Sequence, residues 1–311
     1  MKTINLEKTL GPLWSLFSDE SVWEIVIDSP TEVFVAKGNG VIEEVRVFEN
    51  MSELDSLVDR VTEFLNIEKS NQSFSKLLDT YAKITVVQSG IALKGPAIVI
   101  TKLPKVTPTF DNYLSWNVID DKGLKIIKDI LGSHQGILLA GNQGCGKTTL
   151  LNIMLNNIPM PNRIVTLERH PDLIFDRKMV CRLSPENLEV ESMIKLIDMA
   201  ESMRGDYVAI SEIVGGEAGH FIEMIRNNCT GIALITGESV QDAIERLVTK
   251  TVISSSGLTI EEARYAIAQA FRYLVFQERL ENGSRKISSI VELKYDGGEI
   301  NLVKLYGNTS K

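Results

Sequence analysis

The sequence of 311 residues is poor in cysteine and histidine, with three of each. Cys145, Cys181 and Cys229 are odd in number and widely spaced, which indicates free thiols in a reducing compartment. No two histidines lie four residues apart, so the chain lacks the ligand pair that a zinc helix uses. These absences argue against a disulfide-stabilised protein and against a dedicated metal centre.

Long apolar runs are also absent, and none approaches the roughly 20 residues that a membrane-spanning helix requires. Residues 1–8 lack the hydrophobic region of a signal peptide. We therefore expect a cytoplasmic protein that meets the inner face of the cell membrane only peripherally, through partners. The formal net charge of −8 argues against direct binding of nucleic acid.

A phosphate-binding motif is the clearest feature that the sequence does contain. Gly141–Thr148 match G-x-x-x-x-G-K-[ST], after the apolar run 136–140 and before the helix-like run 149–155. Such a strand, loop and helix turn backbone N–H groups around the phosphates of a nucleoside triphosphate. The predicted nucleotide-binding residues are Gly141, Asn142, Gln143, Gly144, Cys145, Gly146, Lys147, Thr148 and Thr149. Among them, Lys147 would reach the β- and γ-phosphates and Thr148 would hold Mg²⁺ through its hydroxyl.

Residues 1–102 have the mixed periodicity of a small α+β domain. Helices are predicted over 7–18 and 52–65, and strands over 23–27, 32–36, 41–47, 83–88 and 97–101. The turn signals Asp28-Ser29-Pro30 and Gly38-Asn39-Gly40 separate the earliest of these strands.

Residues 103–122 are predicted to be a linker, because prolines and little periodicity mark their beginning. Residues 123–311 then alternate helix and strand, which is typical of parallel βαβ units with a ligand site at the carboxyl ends of the strands. Helices are predicted at 124–131, 148–157, 192–202, 218–227 and 260–272, and strands at 136–140, 163–167, 207–210, 231–235, 286–293 and 300–305. The last strands form a hairpin that turns at Asp296-Gly297-Gly298.

Two predicted strands end in a glutamate that could serve chemistry at the phosphate loop. Glu212 follows the strand 207–210, and Glu168 follows the strand 163–167. If the first of these strands neighbours the loop strand, Glu212 lies beside Lys147 and Thr148, where it can orient Mg²⁺ or polarise a water. We therefore predict Glu212, Glu168 and Lys147 as catalytic residues, with Thr148 and Glu212 at the Mg²⁺. Either glutamate alone is equally compatible with a solvated acid at a strand end.

Two other nucleotide-dependent classes fit the sequence less well. A GTPase needs a base-reading N-K-x-D segment, which the sequence lacks. A small-molecule kinase needs an arginine-rich lid, and Arg169, Arg177 and Arg182 are too loosely grouped to form one.

Several segments resemble the type II and type IV secretion ATPases, in particular those of tight-adherence pili and of conjugative type IV secretion. Gly141–Leu151 resembles the phosphate loop of this family, Pro161–Glu168 its acidic box and Ile210–Ala218 its Walker B region. Ile91–Ile100 is similar to the interdomain strand of the family, and Gly283–Glu292 to its C-terminal hairpin. The resemblance thus covers nearly the whole chain.

This resemblance implies an α/β protein in which a smaller α+β N-terminal domain precedes a RecA-like P-loop NTPase domain. It implies ATP and Mg²⁺ as ligands between the domains, Glu168 as the acidic-box carboxylate and Glu212 as the Walker B glutamate. The implied assembly is a homohexameric ring. The implied activity is ATP hydrolysis that powers a pilus or secretion system through an inner-membrane platform protein.

Some positions depart from the family pattern. Arg169 stands where the family has an acid, Thr101 and Val214 stand where arginines are expected, and residues 231–239 contain no histidine for the histidine box. Because those groups would sense the γ-phosphate or bridge subunits, we predict slow hydrolysis with intact nucleotide binding. The alternative is a weakly hydrolysing paralogue that binds ATP and serves as a structural or regulatory subunit.

Overall fold

The computed structural model describes residues 2–37, 42–68, 70–103, 105–254, 257–281 and 283–307, without the side chains of 2–5, 227 and 228. The chain forms two compact units. The first comprises Met1–Lys105 with the short segments His170–Asp172 and Glu186–Leu188, and the second comprises the other residues from Val106 onward. No helix in the described ranges is long and apolar enough to span a bilayer.

The first unit combines an antiparallel sheet with helices. Its helices are α1 (Lys2–Leu10), α2 (Trp14–Ser18) and α3 (Met51–Phe64), with a 3₁₀ turn at Gly11–Leu13. Its strands are β1 (Val22–Ser29), β2 (Glu32–Lys37), β3 (Ile42–Val45), β4 (Ser73–Asp79), β5 (Ala82–Val87) and β6 (Ala97–Lys102). They lie in the order β3-β2-β1-β6-β5-β4, and each neighbouring pair is antiparallel.

The core of the first unit lies between one face of this sheet and the apolar face of α3. Burial alternates along β2 and β5, as expected for strands with one solvated face. Leu54, Leu57 and Val61 recur at helical spacing on α3 and are fully buried in one cluster with Ile84 and Ile100. This arrangement agrees with the α+β pattern that the sequence predicts.

The second unit is built on a largely parallel sheet. Its helices are α4 (Phe110–Ser115), α5 (Asp121–Gly132), α6 (Lys147–Asn156), α7 (Val190–Glu201), α8 (Glu217–Asn228), α9 (Val240–Ser254) and α10 (Ile260–Ala270). Its strands are β7 (Ile137–Gly141), β8 (Ile164–Leu167), β9 (Val180–Leu183), β10 (Tyr207–Ile210), β11 (Thr230–Thr236), β12 (Tyr273–Arg279), β13 (Arg285–Asp296) and β14 (Glu299–Gly307). The sheet order is β14-β13-β12-β7-β11-β10-β8-β9, with β13 and β14 antiparallel to their neighbours and the other pairs parallel.

Helices cover both faces of this sheet, so its central strands are buried throughout. Alternate residues of β7 point to opposite faces: Ile137 and Leu139 join the core under α4, α5 and α6, whereas Leu138 and Ala140 join the core under α7 to α10. The continuous burial of β7, β8 and β10 is typical of parallel strands between two helical layers. The predicted alternation of strands and helices is thereby confirmed.

The boundary between the units differs from the predicted linker at 103–122. Val106–Arg169 belongs to the second unit, whose core includes Phe110, Tyr113, Val118 and Ile119. The aromatic side chains of Phe110 and Tyr113 thus pack the predicted linker segment into the core of the second unit. Pro104 of that predicted linker lies outside the described residues.

Some elements differ from their predicted extents or have no predicted counterpart. The helix predicted over 7–18 is divided at Pro12, which lacks an amide hydrogen for a continuous helix. Strands β4, β9 and β12 and helices α4 and α9 are missing from the sequence prediction. The predicted turn Gly38-Asn39-Gly40, and Val41 of the strand predicted over 41–47, lie outside the described residues.

Candidate nucleotide-binding site

The phosphate loop connects β7 to α6 and lies against β12. Gly146, the N-cap of α6, has φ +96°, a left-handed conformation that a side chain would strain. Gly141 approaches β12 so closely that a Cβ there would overlap the carbonyl oxygen of Gln277. These glycines let the loop curl tightly between the strand and the helix.

The N-terminus of α6 is left without a side-chain cap. Helices α3, α4, α5 and α10 begin with side-chain caps, which are Asn50, Thr109, Asp120 and Thr259. Helices α6, α7 and α8 lack such a cap, but the first turns of α7 and α8 contain Glu191 and Glu217, whereas the first turn of α6 contains no acidic residue. The positive end of the helix dipole at the loop therefore suits an anionic ligand.

Lys147 lies folded back over its own loop. Its Nζ donates hydrogen bonds to the carbonyl oxygens of Gly141 and Asn142, both at 2.9 Å. The ammonium group is thus held at the mouth of the loop, where a phosphate oxygen could replace either carbonyl as its acceptor.

A buried glutamine ties the loop to β12. Gln277 is fully buried, and its Nε2 donates to the carbonyl oxygen of Cys145 within the loop. The Tyr113 hydroxyl donates to Gln277 Oε1 at 3.4 Å, and the backbone N–H of Arg279 donates to Asn142 Oδ1 at 3.2 Å. Burial raises the pKa of Tyr113 to about 12, so the hydroxyl remains a donor at neutral pH.

A cavity of about 570 Å³ opens beside the loop, and we call it the phosphate-loop cavity. Its lining residues come from the loop and from the strand ends facing it: Gln143, Gly144, Gly146, Lys147, Thr148, Ser211, Glu212, Leu234, Thr236 and Arg285. The predicted residues Gly141, Asn142, Cys145 and Thr149 belong to the loop or to the first turn of α6 without lining this cavity.

Glu212 lines the cavity together with Lys147 and Thr148, but the order of strands in the sheet is not the one on which its prediction depended. The strand β10 is not the neighbour of β7, because β11 lies between them. Glu212 lies beyond the end of β10, and the hydroxyl of Thr236 at the end of β11 donates to Glu212 Oε1 at 3.1 Å. Thr236 thus orients the carboxylate, and it lies within residues 231–239, where the resemblance led us to expect a histidine.

Glu168 does not line this cavity. It follows β8, which β10 and β11 separate from β7, and only 1% of its side chain is exposed. Its carboxylate accepts two hydrogen bonds from the Arg182 guanidinium, at 2.8 and 2.6 Å, and another from the Thr166 hydroxyl at 2.7 Å. Glu168 therefore holds a bidentate ion pair, and its catalytic role stays a prediction.

Arg169, which departs from the acidic-box pattern, has a carboxylate partner. Its Nη2 lies 3.4 Å from Glu217 Oε1 at the start of α8, and both side chains are buried. The same glutamate accepts hydrogen bonds from the amides of Val214 and Gly215, at 2.7 and 3.1 Å. This pair joins the end of β8 to the segment that follows Glu212.

The other arginines weighed as a kinase lid have structural contacts. Arg177 donates to the carbonyl oxygens of Leu155, Ile158 and Asn162, which are local backbone groups. Since Arg182 is engaged by Glu168, these contacts offer no support for an arginine-rich lid.

Sequence reasoning missed four residues around the loop: Thr236, Gln277, Arg279 and Arg285. Gln277 lies more than a hundred residues beyond the loop, on a strand that was not predicted. Arg285 falls within the hairpin segment that resembles the secretion ATPases, but nothing in one sequence indicates that it faces the loop. The sheet order, which puts β12 beside β7, is the information that was lacking.

The cysteine in the loop is shielded. Cys145 is fully buried, and burial raises the pKa of its thiol. Its thiol therefore remains protonated at neutral pH, as expected for a small space-filling residue.

Comparison with known proteins extends these observations. A model of the family described as "Type II/IV secretion system protein" matches residues 76–280. A putative conjugal transfer protein of Mycobacterium tuberculosis is 22% identical over 315 aligned residues, which cover 95% of this chain and 88% of the relative. The type IV secretion system protein VirB11 of Bartonella henselae is 23% identical, over 90% of this chain and 91% of its own.

Solved structures with low sequence identity share the fold. The crystal structure of the VirB11 ATPase from the Brucella suis type IV secretion system matches with a TM-score of 0.51 and 20% identity, covering 94% of this chain and 95% of its own. The crystal structure of the pilus retraction motor PilT with bound ADP matches with a TM-score of 0.59 and 15% identity, covering 99% of this chain and 83% of its own. These matches confirm the predicted fold class, a RecA-like domain preceded by a smaller domain. Because the family model covers more than half of the chain, the protein belongs to the type II/IV secretion system protein family.

Proposed function

We propose that this protein is an ATPase that powers assembly of a pilus or of a type II or type IV secretion system. The observation that carries the proposal is the phosphate-loop cavity, whose lining includes Lys147, Thr148 and Glu212. Cationic phosphate binders and a carboxylate around one space are the groups that nucleotide hydrolysis requires. Family membership supports the same activity.

Each group in the cavity has a proposed task. Lys147 exchanges its loop carbonyl acceptors for oxygens of the β- and γ-phosphates, while the loop amides and the N-terminus of α6 hold the remaining phosphate oxygens. Glu212 orients the attacking water and accepts its proton, and the hydroxyl of Thr236 keeps the carboxylate in place.

The oxygen donors of the cavity fit Mg²⁺ that arrives with the nucleotide. Within the described residues, no group of His, Cys, Asp and Glu could hold a metal ion by itself. The Thr148 hydroxyl and the Glu212 carboxylate are hard oxygen ligands of the kind that Mg²⁺ prefers, together with phosphate oxygens. When bound, the ion would neutralise charge on the phosphates.

We further propose that six copies form a ring that acts on the cytoplasmic side of a membrane machine. The relatives with similar sequences are a conjugal transfer protein and a type IV secretion protein, and a structural neighbour is a pilus retraction motor. These names support an inner-membrane platform protein as the partner. Motion of one unit relative to the other on nucleotide exchange would then supply the work.

A second candidate function has one observation in its favour. In the segment of the histidine box, the group that contacts Glu212 is the neutral hydroxyl of Thr236, which cannot supply a positive charge to the γ-phosphate. A chain with this site could bind ATP firmly and hydrolyse it weakly, as a structural or regulatory subunit.

The proposal is tested by measuring ATP binding, phosphate release and assembly mass on the same preparation. Lys147→Ala removes charge-assisted contacts to phosphate, so we expect MgATP to bind at least about tenfold more weakly and turnover to vanish. Lys195→Ala, an exposed change on α7, is the control and should leave both unchanged.

Equal affinity of the wild type and Lys147→Ala in calorimetry would refute nucleotide binding at this loop. A stable oligomer that binds ATP without hydrolysis above the Lys147→Ala background, even with its platform, would favour the second candidate.

A further inference from the structure

Arg285 lies against the phosphate loop. It begins β13, and a Cβ placed on Gly146 would lie 3.2 Å from Arg285 Cδ and 3.4 Å from its Nε. The same side chain lines the phosphate-loop cavity together with Lys147 and Thr148. A permanently charged guanidinium therefore flanks the point where the loop becomes α6.

Arg279 lies opposite Arg285 on the neighbouring strand. The two residues are partners in the antiparallel register of β12 and β13. Arg279 Nη1 lies 3.8 Å from the position that a Cβ of Gly144 would occupy, and the Arg279 amide donates to Asn142 Oδ1. Strands β12 and β13 thus each bring a cation close to a glycine of the loop.

The described part of the chain provides no ion-pair partner for these two cations. Among the described residues, neither Arg279 nor Arg285 forms an ion pair, whereas Arg182, Arg246 and Arg264 each have carboxylate partners. Like charges directly opposite each other on adjacent strands are destabilising. An anion between the strands and the loop would remove this repulsion and gain charge-assisted hydrogen bonds.

The surroundings favour a ligand with several negative charges. Lys147 lines the cavity together with Arg285 and adds a further cation there, and among the described residues Glu212 is the one acid that lines the cavity. The uncapped N-terminus of α6 also favours negative charge. A single carboxylate or chloride would leave much of this positive field unbalanced, whereas a polyphosphate matches it.

We propose that Arg285, supported by Arg279 on the opposite strand, is a second cationic contact to the phosphate chain of the nucleotide bound at the loop. This inference rests on the proposed function, because it assumes a nucleotide at the same cavity. Arg285 supplies from the C-terminal hairpin a positive charge that Thr236 cannot supply from the end of β11. The hairpin thereby takes part in nucleotide binding.

The test compares Arg285→Gln with Lys286→Gln in MgATP titrations and thermal unfolding. Lys286 is the next residue of β13, so its side chain points to the opposite face and its loss removes the same formal charge. We expect Arg285→Gln to weaken MgATP binding about tenfold or more, Arg279→Gln to weaken it less, and Lys286→Gln to change it less than about twofold.

Thermal unfolding distinguishes ligand binding from a structural role. Without nucleotide, Arg285→Gln should be as stable as the wild type or more stable, because a repulsion has been removed. The increase in Tm on adding MgATP should be smaller than in the wild type. Arg285→Lys, which keeps the charge, should restore part of the affinity.

Two results would overturn the inference. One is an affinity of Arg285→Gln within about twofold of the wild type, and the other is a lower Tm of the nucleotide-free variant with an unchanged shift by MgATP. Failure of the proposed function looks different, since the wild type itself would then fail to bind MgATP or Lys147→Ala would bind it equally well.

Discussion

Glu212 carries the negative charge of the phosphate-loop cavity. Thr236 donates to one of its oxygens, and Lys147 and Thr148 line the same space. A carboxylate in this position can act on the water that attacks the γ-phosphate, whereas Glu168 is occupied by its ion pair with Arg182. The two glutamates therefore differ in the side chains that contact them, which are Thr236 at Glu212 and Arg182 at Glu168.

We predict that Glu212→Gln lowers kcat on the order of a hundredfold or more, while MgATP affinity changes little. The substitution keeps the shape of the side chain and removes its charge and basicity. Steady-state phosphate release and calorimetric titration give the two quantities. Glu223→Gln, an exposed change on α8, serves as the control. Parallel losses of binding and turnover would instead assign Glu212 to the Mg²⁺ or to the structure.

The cysteines should differ in reactivity because their burial differs. Cys145 is fully buried, and burial raises its pKa; Cys229 is partly buried, and burial raises its pKa to about 11. A raised pKa lowers the thiolate fraction at pH 8, and the thiolate is the reactive form. Cys145 should therefore be alkylated more slowly than Cys181, which is only half-buried.

Peptide mass spectrometry after timed alkylation measures this order, and MgATP should slow Cys145 further by closing the loop. Denatured chain, in which the three thiols react at similar rates, is the control. Labelling of Cys145 before Cys181 in the native protein would contradict the burial of the loop.

At the scale of elements, β12 supports the phosphate loop through Gln277. Its amide donates to the Cys145 carbonyl and accepts from Tyr113 on α4, so strand, loop and helix meet at one buried side chain. A buried polar group is stable in such a place only when its hydrogen bonds are satisfied.

We predict that Gln277→Leu lowers the free energy of unfolding by about 1–3 kcal/mol, because it leaves a buried carbonyl and hydroxyl without their partner. The loop should also bind MgATP more weakly, since its conformation is less fixed. Urea denaturation and titration measure these effects. Gln241→Leu, at an exposed position of α9, is the control and should cost little. An unchanged unfolding free energy would mean that other contacts position the loop.

Much of the fold follows from local patterns in the sequence. The run 207–210 is predicted with the observed bounds of β10, and the loop with its helix is predicted because glycine spacing and apolar periodicity agree. β12 is not predicted because only two residues separate its apolar run from the end of α10. A short apolar run is compatible with either a strand or a helix. α9 is likewise unassigned, although its buried side chains recur at helical spacing.

The site is only partly predictable for a different reason. Lys147 and Thr148 are fixed by a contiguous motif, whereas Thr236, Gln277 and Arg285 reach the loop through pairing of strands that are distant along the chain. One sequence gives the ends of such strands but not their order in the sheet. Glu212 illustrates the limit, since it lies in the cavity although its strand is not the neighbour of β7.

At the scale of the whole molecule, we predict that turnover per subunit rises with protein concentration. If a ring completes each site with groups from neighbouring copies, assembly and activity must increase together by mass action. Phosphate release over a dilution series, with the mass distribution measured at each concentration, checks this. Lys147→Ala gives the background rate. Constant turnover by a monomer across the series would exclude a ring as the active form.

The position of β7 within its sheet has a consequence for synthesis of the chain. β7 ends at Gly141, but one of its hydrogen-bonded neighbours, β12, extends to Arg279. During synthesis on the ribosome, the edge of β7 that pairs with β12 therefore stays unpaired until more than a hundred further residues have been made. Gln277, Arg279 and Arg285 arrive together at the end of that interval. A nascent chain acquires its complete nucleotide site late, so protein interrupted before β12 would retain the motif and lack its support.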